Sequence, residues 1–390
     1  MALLIVVTFL LLIIYIILLA YYFIGWKCIP AFTSQRDSNP GSTFVSVLVP
    51  ARNEALNLPV LLQSLLAQNY PAHLFEVIVI DDFSTDSTAQ IVSAYSTTNI
   101  KLLSLQDYTE SAQINSYKKK AIETGIQESK GTLIVTTDAD CYLPQNWLKT
   151  IVGFYEEYHP VFIAAPVSIN NSISFIEIFQ ALDFMALQGI TGASVYKSFH
   201  SMCNGANMAY EKKVFYEVGG FKGIDQIASG DDMLLMHKIF KRYPKRVLFL
   251  KSAGAIAETQ PVKNIREFFS QRIRWASKAN KYDDKRILPV LAAVYFFNLL
   301  MFVIPVLTIF WNPSLKFFNY QTSIFLCWQW LLLLKIFTEL TFLFPVAKFF
   351  QKMTLLFLFP FMQPFHIIYT IIAGWLGRFV SYKWKGRKVK

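Results

Sequence analysis

The sequence is short of charged residues, and its few cysteines and histidines are not spaced to act together. Only 16% of its 390 residues are Asp, Glu, Lys or Arg, whereas soluble domains have about 25%. The four cysteines form no Cys-x-x-Cys pair, and the five histidines form no His-x-x-x-His pair. These absences argue against a zinc site and a disulfide framework, and they indicate reduced thiols in a domain that faces the cytoplasm.

Acidic residues are nearly missing from the last quarter of the chain. Residues 288–390 contain ten Lys or Arg and a single acid, Glu339, so most of the net charge of +11 lies there. The basic residues stand beside apolar runs rather than among aromatic residues on one folded face. This arrangement is typical of proteins that lie against anionic lipid, and it argues against nucleic-acid binding.

Long apolar runs predict segments that cross a membrane. Residues 2–25 are almost entirely apolar, which is enough for a helix to cross a hydrocarbon core of about 30 Å. A signal peptide would have a charged start and a small-residue cleavage site, so we expect a retained anchor at 1–26. No charge precedes this run, whereas Lys27 and Arg36 follow it. The linker 27–43 and the next domain are therefore expected in the cytoplasm.

Three more apolar segments, at about 288–311, 322–346 and 354–377, predict a membrane bundle over 288–378 and then a basic tail at 379–390. If all three segments cross, the tail lies outside, which the preference of short basic segments for the cytoplasm opposes. Lys335 and Glu339 stand one helical turn apart in the middle segment, at a depth where charges are costly. Either this segment does not cross fully, which the charges slightly favour, or all three cross with the two charges paired.

Between the anchor and the bundle, residues 44–262 alternate short β-branched runs with helical patterns. The runs Phe44–Val49, Glu76–Ile80, Ile100–Leu105 and Thr132–Thr136 have the length and composition of buried strands. This alternation predicts an α/β domain with a mainly parallel sheet. In such a sheet, ligands bind beyond the carboxyl ends of the strands.

Polar residues stand where these strands end. The first predicted strand leads into Pro50-Ala51-Arg52-Asn53-Glu54 and the second into Asp81-Asp82-Phe83-Ser84-Thr85-Asp86. We interpret Asp86 as a helix cap. The Asp81-Asp82 pair is interpreted as a ligand contact, because two adjacent carboxylates exceed what capping requires.

Two further acidic motifs predict the chemistry. Asp138 and Asp140 follow the fourth strand, and two carboxylates one residue apart are suited to a hard cation such as Mg²⁺ or Mn²⁺ that also binds a diphosphate. Asp231 and Asp232 open a predicted helix, where they are either favourable helix-start acids or include a general base that activates a hydroxyl.

A basic and aromatic motif, Gln271-Arg272-Ile273-Arg274-Trp275, lies on an amphipathic helix at 263–287, just before the membrane bundle. Arg274 is suited to a phosphate, and Trp275 to stacking on a sugar or walling an acceptor pocket. Such a helix is equally typical of an interfacial membrane anchor. The residues alone leave these two readings open.

Taken together, the motifs resemble the family-2 glycosyltransferases, which have the nucleotide-binding GT-A fold. The resemblance covers about 44–280 and rests on PARNE at 50–54, DDFSTDST at 81–88, DAD at 138–140, NGANMAY at 204–210, VGGF at 218–221, GDD at 230–232 and QRIRW at 271–275. The membrane-bound branch with Q-x-x-R-W is the more similar, and it includes ceramide glucosyltransferases and the cellulose and hyaluronan synthases. The motif that supplies the base usually reads Glu-Asp, whereas this chain has Asp231-Asp232.

The resemblance implies a role for each matched motif. On the donor side, the nucleotide would be bound by Arg52, Glu54, Asp81, Asp82, Lys118 and Asp138, and the metal by Asp138 and Asp140. The sugar and the acceptor would meet Asn204, Gly205, Asn207, Gly219, Gly220 and Phe221. Catalysis would rest on Asp232 as the base, beside Asp231, and on Gln271, Arg274 and Trp275, which close the site.

We therefore expect an inverting, metal-dependent transferase that uses a nucleotide sugar, a UDP-sugar by the resemblance, at the cytoplasmic face of the membrane. Three C-terminal segments are few for a translocation channel, so a lipid or lipid-linked acceptor is preferred to a growing glycan. A processive polysaccharide synthase is the alternative. A non-catalytic scaffold that kept the fold is the alternative of another class, and the presence of both metal carboxylates and the base argues against it.

Overall fold

The computed structural model describes residues 1–33, 41–95, 98–109, 116–170, 174–199, 202–227, 230–277, 284–311, 314–317, 320–377, 382–384 and 387–389. Part of the expected linker, 34–40, and residues 379–381, 385, 386 and 390 of the expected basic tail lie outside the described residues. The chain forms two compact units. The membrane-helix unit contains Met1–Cys28, Ser172–Ala193 and Val262–Tyr382, and the sheet unit contains Ile29–Asn171, Ser194–Pro261 and Lys383–Lys390.

The helices in chain order are α1 (Ala2–Cys28), α2 (Leu58–Leu66), α3 (Thr88–Ser93), α4 (Tyr117–Glu128), α5 (Trp147–Tyr158), α6 (Phe175–Lys197), α7 (Lys212–Glu217), α8 (Met233–Arg242), α9 (Ile265–Ala276), α10 (Ile287–Phe310), α11 (Ile324–Phe349) and α12 (Phe359–Leu376). The strands are β1 (Val45–Ala51), β2 (Phe75–Asp81), β3 (Ile100–Ser104), β4 (Leu133–Thr136), β5 (Cys141–Tyr142), β6 (Phe162–Ala164), β7 (Val167–Ile169), β8 (Met208–Glu211), β9 (Val247–Phe249), β10 (Ala257–Thr259), β11 (Ser314–Phe317), β12 (Tyr320–Ser323), β13 (Tyr382–Trp384) and β14 (Arg387–Val389).

The sheet unit is built on a mostly parallel seven-stranded sheet, as the alternation of strand and helix patterns predicts. Its strand order is β3-β2-β1-β4-β8-β6-β9. Strand β8 runs antiparallel to both of its neighbours, β4 and β6. A smaller sheet, β5-β10-β7, lies in the same unit. The predicted α/β fold class is confirmed.

Strands β1 and β2 form the buried core of this sheet, and their carboxyl ends lie at the same edge. Every residue of β2 is buried, and β1 is buried except at Pro50, as expected for strands covered on both faces. Parallel pairing puts Ala51 opposite Asp81, so the two strands end together. Helix α4 packs closely on them, because a Cβ at Gly125 would come within 2.9 Å of the Ile80 Cδ1 atom.

The membrane-helix unit contains three helices long and apolar enough to cross a membrane: α1, α10 and α11. Helix α12 occupies most of the predicted segment 354–377, but it is not among these candidates. Residues Ser172–Ala193, which carry most of α6, belong to this unit and not to the sheet unit. The structure thus divides the expected 44–262 domain differently, because apolar and aromatic side chains of α6 such as Phe179 pack against α9 and α12.

A buried polar cluster, formed by Tyr15, Lys335, Glu339 and Gln363, joins α1, α11 and α12. The Lys335 ammonium donates to Glu339 Oε1 at 2.7 Å and to Gln363 Oε1 at 2.5 Å. The Tyr15 hydroxyl donates to Glu339 Oε1 at 2.5 Å, and Gln363 Nε2 donates to Glu339 Oε2 at 2.7 Å. The two charges that the sequence places at mid-membrane depth are therefore paired and hydrogen-bonded inside the unit, which is how such charges are tolerated there.

Candidate active site

Side chains of the segment that follows β1 bind the backbone of the segment that follows β2. Arg52 Nη1 donates to the carbonyl oxygens of Asp82 and Phe83 at 2.8 and 3.2 Å. Asn53 has a φ of +52°, in the left-handed region, and its Oδ1 accepts from Thr85 N at 2.8 Å. These contacts fix the loops at the edge where the two strands end.

The Asp81-Asp82 pair lies buried at this edge, with 5% and 3% of each residue exposed. Asp81 Oδ2 accepts from Ser84 N at 3.3 Å. Asp81 Oδ1 is buried and accepts no hydrogen bond from any described residue. A buried carboxylate oxygen without a partner is uncommon in folded proteins, so this atom is suited to a donor group on a ligand.

Asp86 and Glu54 make local contacts that hold the loops. Asp86 Oδ1 accepts from Thr88 N at 3.0 Å, and Asp86 Oδ2 accepts from Ala55 N at 3.2 Å. Burial opposes ionisation, but these bonds outweigh it and lower the pKa of Asp86. The N-cap residue of α3 is Ser87 and not Asp86 as interpreted from the sequence, although the Asp86 carboxylate accepts from the first N–H of that helix. Glu54 Oε2 accepts from Asn57 Nδ2 at 2.8 Å, and its predicted role in nucleotide binding stays a prediction.

Lys118, on the first turn of α4, joins two acidic motifs. Its ammonium donates to Asp138 Oδ1 at 2.6 Å and lies 3.4 Å from Asp231 Oδ2. Burial alone would lower the pKa of Lys118, but the charges of Asp138 and Asp231 outweigh it and raise that pKa above its usual value. Lys118 is therefore a permanent cation between the motif that follows β4 and the motif that opens α8.

Gly205, just before β8, contacts both β4 and the GDD motif. Its carbonyl accepts from Thr136 Oγ1 at 2.9 Å, and its N–H donates to Asp232 Oδ2 at 3.2 Å. A Cβ at this position would lie 3.1 Å from Asp231 Oδ2 and 3.3 Å from Lys118 Nζ. The motifs at 138–140, 204–207 and 230–232 thus meet around Lys118, and their predicted roles stay predictions.

The two acids of the GDD motif differ in their surroundings. Asp231 is 5% exposed and faces Lys118. Asp232 is only partly buried and is the N-cap of α8, where its Oδ1 accepts from Met233 N at 2.7 Å. Both sequence interpretations of this pair are therefore compatible with the structure, since Asp232 caps the helix and is also partly exposed.

A divalent cation would find few protein ligands here. No group of three or more His, Cys, Asp or Glu side chains suited to a metal occurs among the described residues. Asp138 and Asp140 offer carboxylate oxygens, which are the ligands that Mg²⁺ and Mn²⁺ accept. Burial and the two carboxylates raise the pKa of Cys141 well above its usual value, so it stays a neutral thiol. The donor set thus fits a hard cation that takes its other ligands from a diphosphate.

Several other predicted residues are engaged within the protein. The buried Asn207 side chain donates to Pro166 O and Ala255 O, both at 2.7 Å, and accepts from Trp147 Nε1 at 3.0 Å. Asn204 Oδ1 accepts from Ala206 N at 3.0 Å. Both N–H groups of the Asn207 amide and its oxygen are engaged within the protein, so its predicted place beside the donor sugar stays a prediction.

The VGGF motif forms a turn after α7. Gly219 and Gly220 have φ values of +71° and +49°. Phe221 is 2% exposed, and its ring packs 5.3 Å from that of Phe215. Lys238 Nζ donates to Gly220 O at 2.6 Å. These contacts explain the motif as a packed turn, and its predicted position near the acceptor stays a prediction.

The QRIRW motif lies on α9 in the membrane-helix unit, and the described part of the expected 263–287 helix forms only Ile265–Ala276 before Ser277. Sequence reasoning selected Gln271, Arg274 and Trp275. It missed Arg272, which is buried and ion-paired with Asp183 on α6 at 2.7 Å. It also missed Lys119, whose ammonium donates to Ile224 O at 2.7 Å and to Ile227 O at 2.5 Å, ahead of the GDD motif. No local sequence pattern predicts either contact.

Comparison with known proteins identifies relatives that match parts of the chain. Glycosyltransferase AglE of Haloferax volcanii is 37% identical over 108 residues, covering 27% of this chain and 33% of AglE. A beta-monoglucosyldiacylglycerol synthase of Nostoc sp. is 31% identical over 122 residues, covering 31% of this chain and 25% of the synthase. The chain thus spans a third or less of the length of these two relatives.

One solved structure shares the fold along nearly the whole chain. It is the mannosyltransferase PcManGT from Pyrobaculum calidifontis in complex with GDP-Man and Mn²⁺, with a TM-score of 0.54 and 18% identity. The match covers 93% of this chain and 99% of that one. At this identity the likeness concerns the fold alone.

Two family models match the sequence. The model of glycosyl transferase family 2 matches residues 46–219, and the model of glycosyl transferase family group 2 matches residues 133–376. The second match includes more than half of the chain, the motifs at 138–140, 204–207 and 230–232, and the helices α9 to α12. The chain belongs to glycosyl transferase family group 2.

Proposed function

We propose that this protein is an inverting, metal-dependent glycosyltransferase that moves a sugar from a nucleotide-sugar donor to a lipid or lipid-linked acceptor at the cytoplasmic face of a membrane. The observation that carries the proposal is the cluster around Lys118. Three separate motifs meet there at the carboxyl edge of a mostly parallel sheet, which is the ligand-binding edge in such folds.

The donor nucleotide is proposed to bind along the ends of β1 and β2. The unpartnered Asp81 Oδ1 atom offers an acceptor for a donor group on the base or ribose. Lys118 is proposed to face the nucleotide as well, and its ammonium pairs with Asp138 and Asp231. A UDP-sugar is the proposed donor, by the family resemblance of the motifs.

Asp138 and Asp140 are proposed to hold a Mg²⁺ or Mn²⁺ ion. Such an ion, when bound, supplies positive charge to the diphosphate leaving group. The described residues place no third His, Cys, Asp or Glu with this pair, so the donor diphosphate is proposed to complete the coordination. The fold neighbour PcManGT was solved with GDP-Man and Mn²⁺, which supports the same pairing of nucleotide sugar and metal.

Asp232 is proposed as the general base. It removes the proton of an acceptor hydroxyl while the oxygen forms a bond to the anomeric carbon, and the bond from that carbon to the nucleoside diphosphate breaks on the opposite face. This single displacement inverts the configuration. Asp232 suits the role better than Asp231, because Asp231 is buried and faces a permanent cation, whereas Asp232 is partly exposed.

The proposed lipid acceptor rests on the membrane helices and on one relative. Helices α1, α10 and α11 are each long and apolar enough to cross a membrane. The Nostoc relative is a beta-monoglucosyldiacylglycerol synthase by name. Gln271, Arg274 and Trp275 are proposed, by resemblance, to belong to the same catalytic machinery.

The test is a transfer assay on the purified full-length protein in detergent. UDP-glucose, UDP-N-acetylglucosamine and GDP-mannose are each incubated with Mn²⁺, with and without diacylglycerol or a polyprenyl phosphate, and nucleoside diphosphate release is measured. We expect release that depends on one donor and rises with one lipid, and a product with one added sugar. A long polymer would favour the processive alternative, and absence of release with every donor would refute the proposal.

A further inference from the structure

The QRIRW helix is held by a set of buried polar contacts within the membrane-helix unit. Arg272 Nη2 lies 2.7 Å from Asp183 Oδ2, and the two side chains are 3% and 6% exposed. The Tyr369 hydroxyl donates to the other carboxylate oxygen, Asp183 Oδ1, at 2.5 Å. Asp183 thus joins α6, α9 and α12 through one carboxylate.

Helix α6 also fixes the start of α9. Gln180, fully buried on α6, donates from Nε2 to Val262 O at 2.8 Å and accepts from Val262 N at 3.1 Å. Gln180 and Asp183 stand three residues apart, on one face of α6. Asn264 then caps α9, because its Oδ1 accepts from Glu267 N at 2.9 Å. The position and rotation of α9 are therefore set by α6.

Arg272 also contacts Gln271, Trp275 and Phe268 on its own helix. Its guanidinium carbon lies 4.2 Å from the centroid of the Trp275 ring and 4.8 Å from that of Phe268. Its Nη1 donates to Gln271 Oε1 at 3.2 Å. A planar guanidinium is suited to such stacking, whereas a lysine ammonium is not. One side chain thus contacts both Gln271 and Trp275, and Phe184 of α6 packs 6.0 Å from the same indole ring.

We propose that Arg272 is a positioning residue of the glycosyl transfer, which acts by holding Trp275 in one orientation while Asp183 holds Arg272. The inference rests on the proposed function, in which Trp275 belongs to the catalytic machinery. Arg272 itself is buried against Asp183 and the aromatic rings, so it acts through the indole and not on a substrate.

The first measurement is the orientation of the indole itself. The full-length protein is labelled with 5-fluorotryptophan, and the ¹⁹F resonance of Trp275 is assigned with Trp275→Phe. Arg272→Lys keeps the charge and removes the planar stack, so it should shift this resonance. Arg266→Lys makes the same exchange at an exposed position of α9 and should not. An unmoved Trp275 resonance in Arg272→Lys overturns the proposal.

The second measurement is kinetic. Arg272→Lys should lower kcat about tenfold to a hundredfold, as expected when a catalytic group is displaced by about 1 Å, while the KM for the nucleotide sugar stays within about twofold. In a Trp275→Phe background the same exchange should have little further effect. Equal losses in both backgrounds would show that Arg272 does not act through Trp275, and would overturn the proposal.

Two outcomes need separate controls: misfolding of Arg272→Lys, and lack of activity in the unaltered protein. If Arg272→Lys does not fold, Tyr369→Phe removes only one hydroxyl from Asp183 and should shift the Trp275 resonance and lower kcat in the same direction, to a smaller extent. Absence of both changes there overturns the proposal. If the unaltered protein and Arg266→Lys both fail to use any donor, the proposed function fails as a whole, whereas loss confined to Arg272→Lys and Tyr369→Phe supports the positioning role.

Discussion

The Lys118 ammonium lies 2.6 Å from the Asp138 carboxylate and 3.4 Å from that of Asp231, so one cation neutralises acids from two motifs that are 93 residues apart in the chain. Without Lys118 these carboxylates would face each other with no fixed positive charge between them. A diphosphate approaching Asp138 would then meet two carboxylates without the counter-charge that Lys118 supplies.

Replacing Lys118 should weaken nucleotide binding. Loss of one hydrogen bond to a charged group predicts that Lys118→Met raises the Kd of UDP about tenfold or more. Isothermal titration of UDP in the presence of Mn²⁺ measures the effect. The matched control is Lys120→Met on the same helix, whose ammonium pairs with the partly exposed Glu123. If both variants bind UDP like the unaltered protein, Lys118 does not face the nucleotide.

Asp232 and Asp231 should respond differently to the same exchange. Asp232→Asn should leave UDP binding nearly intact and lower turnover about 10²–10⁴-fold, the contribution typical of a positioned general base. Asp231→Asn removes a counter-charge of Lys118 and should chiefly alter UDP binding. An active Asp232→Asn beside an inactive Asp231→Asn would reverse the assignment of the base.

Metal removal should abolish transfer, because Asp138 and Asp140 offer a cation too few ligands to retain it against a chelator. We expect excess EDTA to stop nucleoside diphosphate release and Mn²⁺ or Mg²⁺ to restore it. The affinity for Mn²⁺ should rise when UDP is present, since the diphosphate supplies further oxygen ligands. Full activity in excess chelator would remove the metal from the mechanism.

The buried Glu76 should make the stability of the protein depend on pH. Burial alone would raise its pKa, but Lys101, the Lys130 N–H and Ser46 outweigh it, so the pKa of Glu76 is lowered. A lowered folded-state pKa stabilises the fold above the unfolded pKa of about 4.3, and this contribution is lost as the pH falls through the folded-state value.

Glu76→Gln should therefore cost about 1–3 kcal/mol of unfolding free energy near pH 7. Its thermal midpoint in detergent should also fall less steeply than that of the unaltered protein as the pH is lowered below about 4.3. Glu123→Gln removes a partly exposed ion pair and should cost under about 1 kcal/mol. Equal midpoints for the two variants would contradict the stabilising role of Glu76.

Secondary-structure elements that depend on local sequence patterns could be predicted, whereas contacts between residues far apart in the chain could not. The strands β1, β2, β3 and β4 were predictable because short β-branched runs ended in polar motifs, and the carboxyl edge followed from parallel pairing. The contacts of Lys119 with 224–227 and of Arg272 with Asp183 could not be predicted, because they join residues 89 or more positions apart. The same holds for Asn207, whose motif suggested a ligand although its amide is used by Trp147, Pro166 and Ala255.

The path of the chain through the membrane is the last prediction. Charge alone slightly favoured a topology in which 322–346 does not cross and 354–377 does. The pairing of Lys335 with Glu339 at 2.7 Å, inside a cluster with Tyr15 and Gln363, removes the main objection to crossing by α11. Helix α11 is a candidate span, and α12 is not. We therefore expect α1, α10 and α11 to cross the membrane. Compared with the topology that charge favoured, α11 replaces the segment 354–377 as a span, and the basic tail is still expected in the cytoplasm.

The basic residues around α11 agree with this path. Lys316 alone precedes α11 in the segment after α10, whereas Lys348 and Lys352 follow at its end, and the basic tail comes later. Short basic segments prefer the cytoplasm, so the end of α11 and the tail should both lie there. A version without native cysteines would carry either Ser314→Cys or Val389→Cys. A maleimide that cannot cross membranes should label Ser314→Cys in intact cells, and Val389→Cys only after permeabilisation. Labelling of Val389→Cys in intact cells would mean that α12 also crosses, and a Ser314→Cys that stays unlabelled would mean that α10 does not.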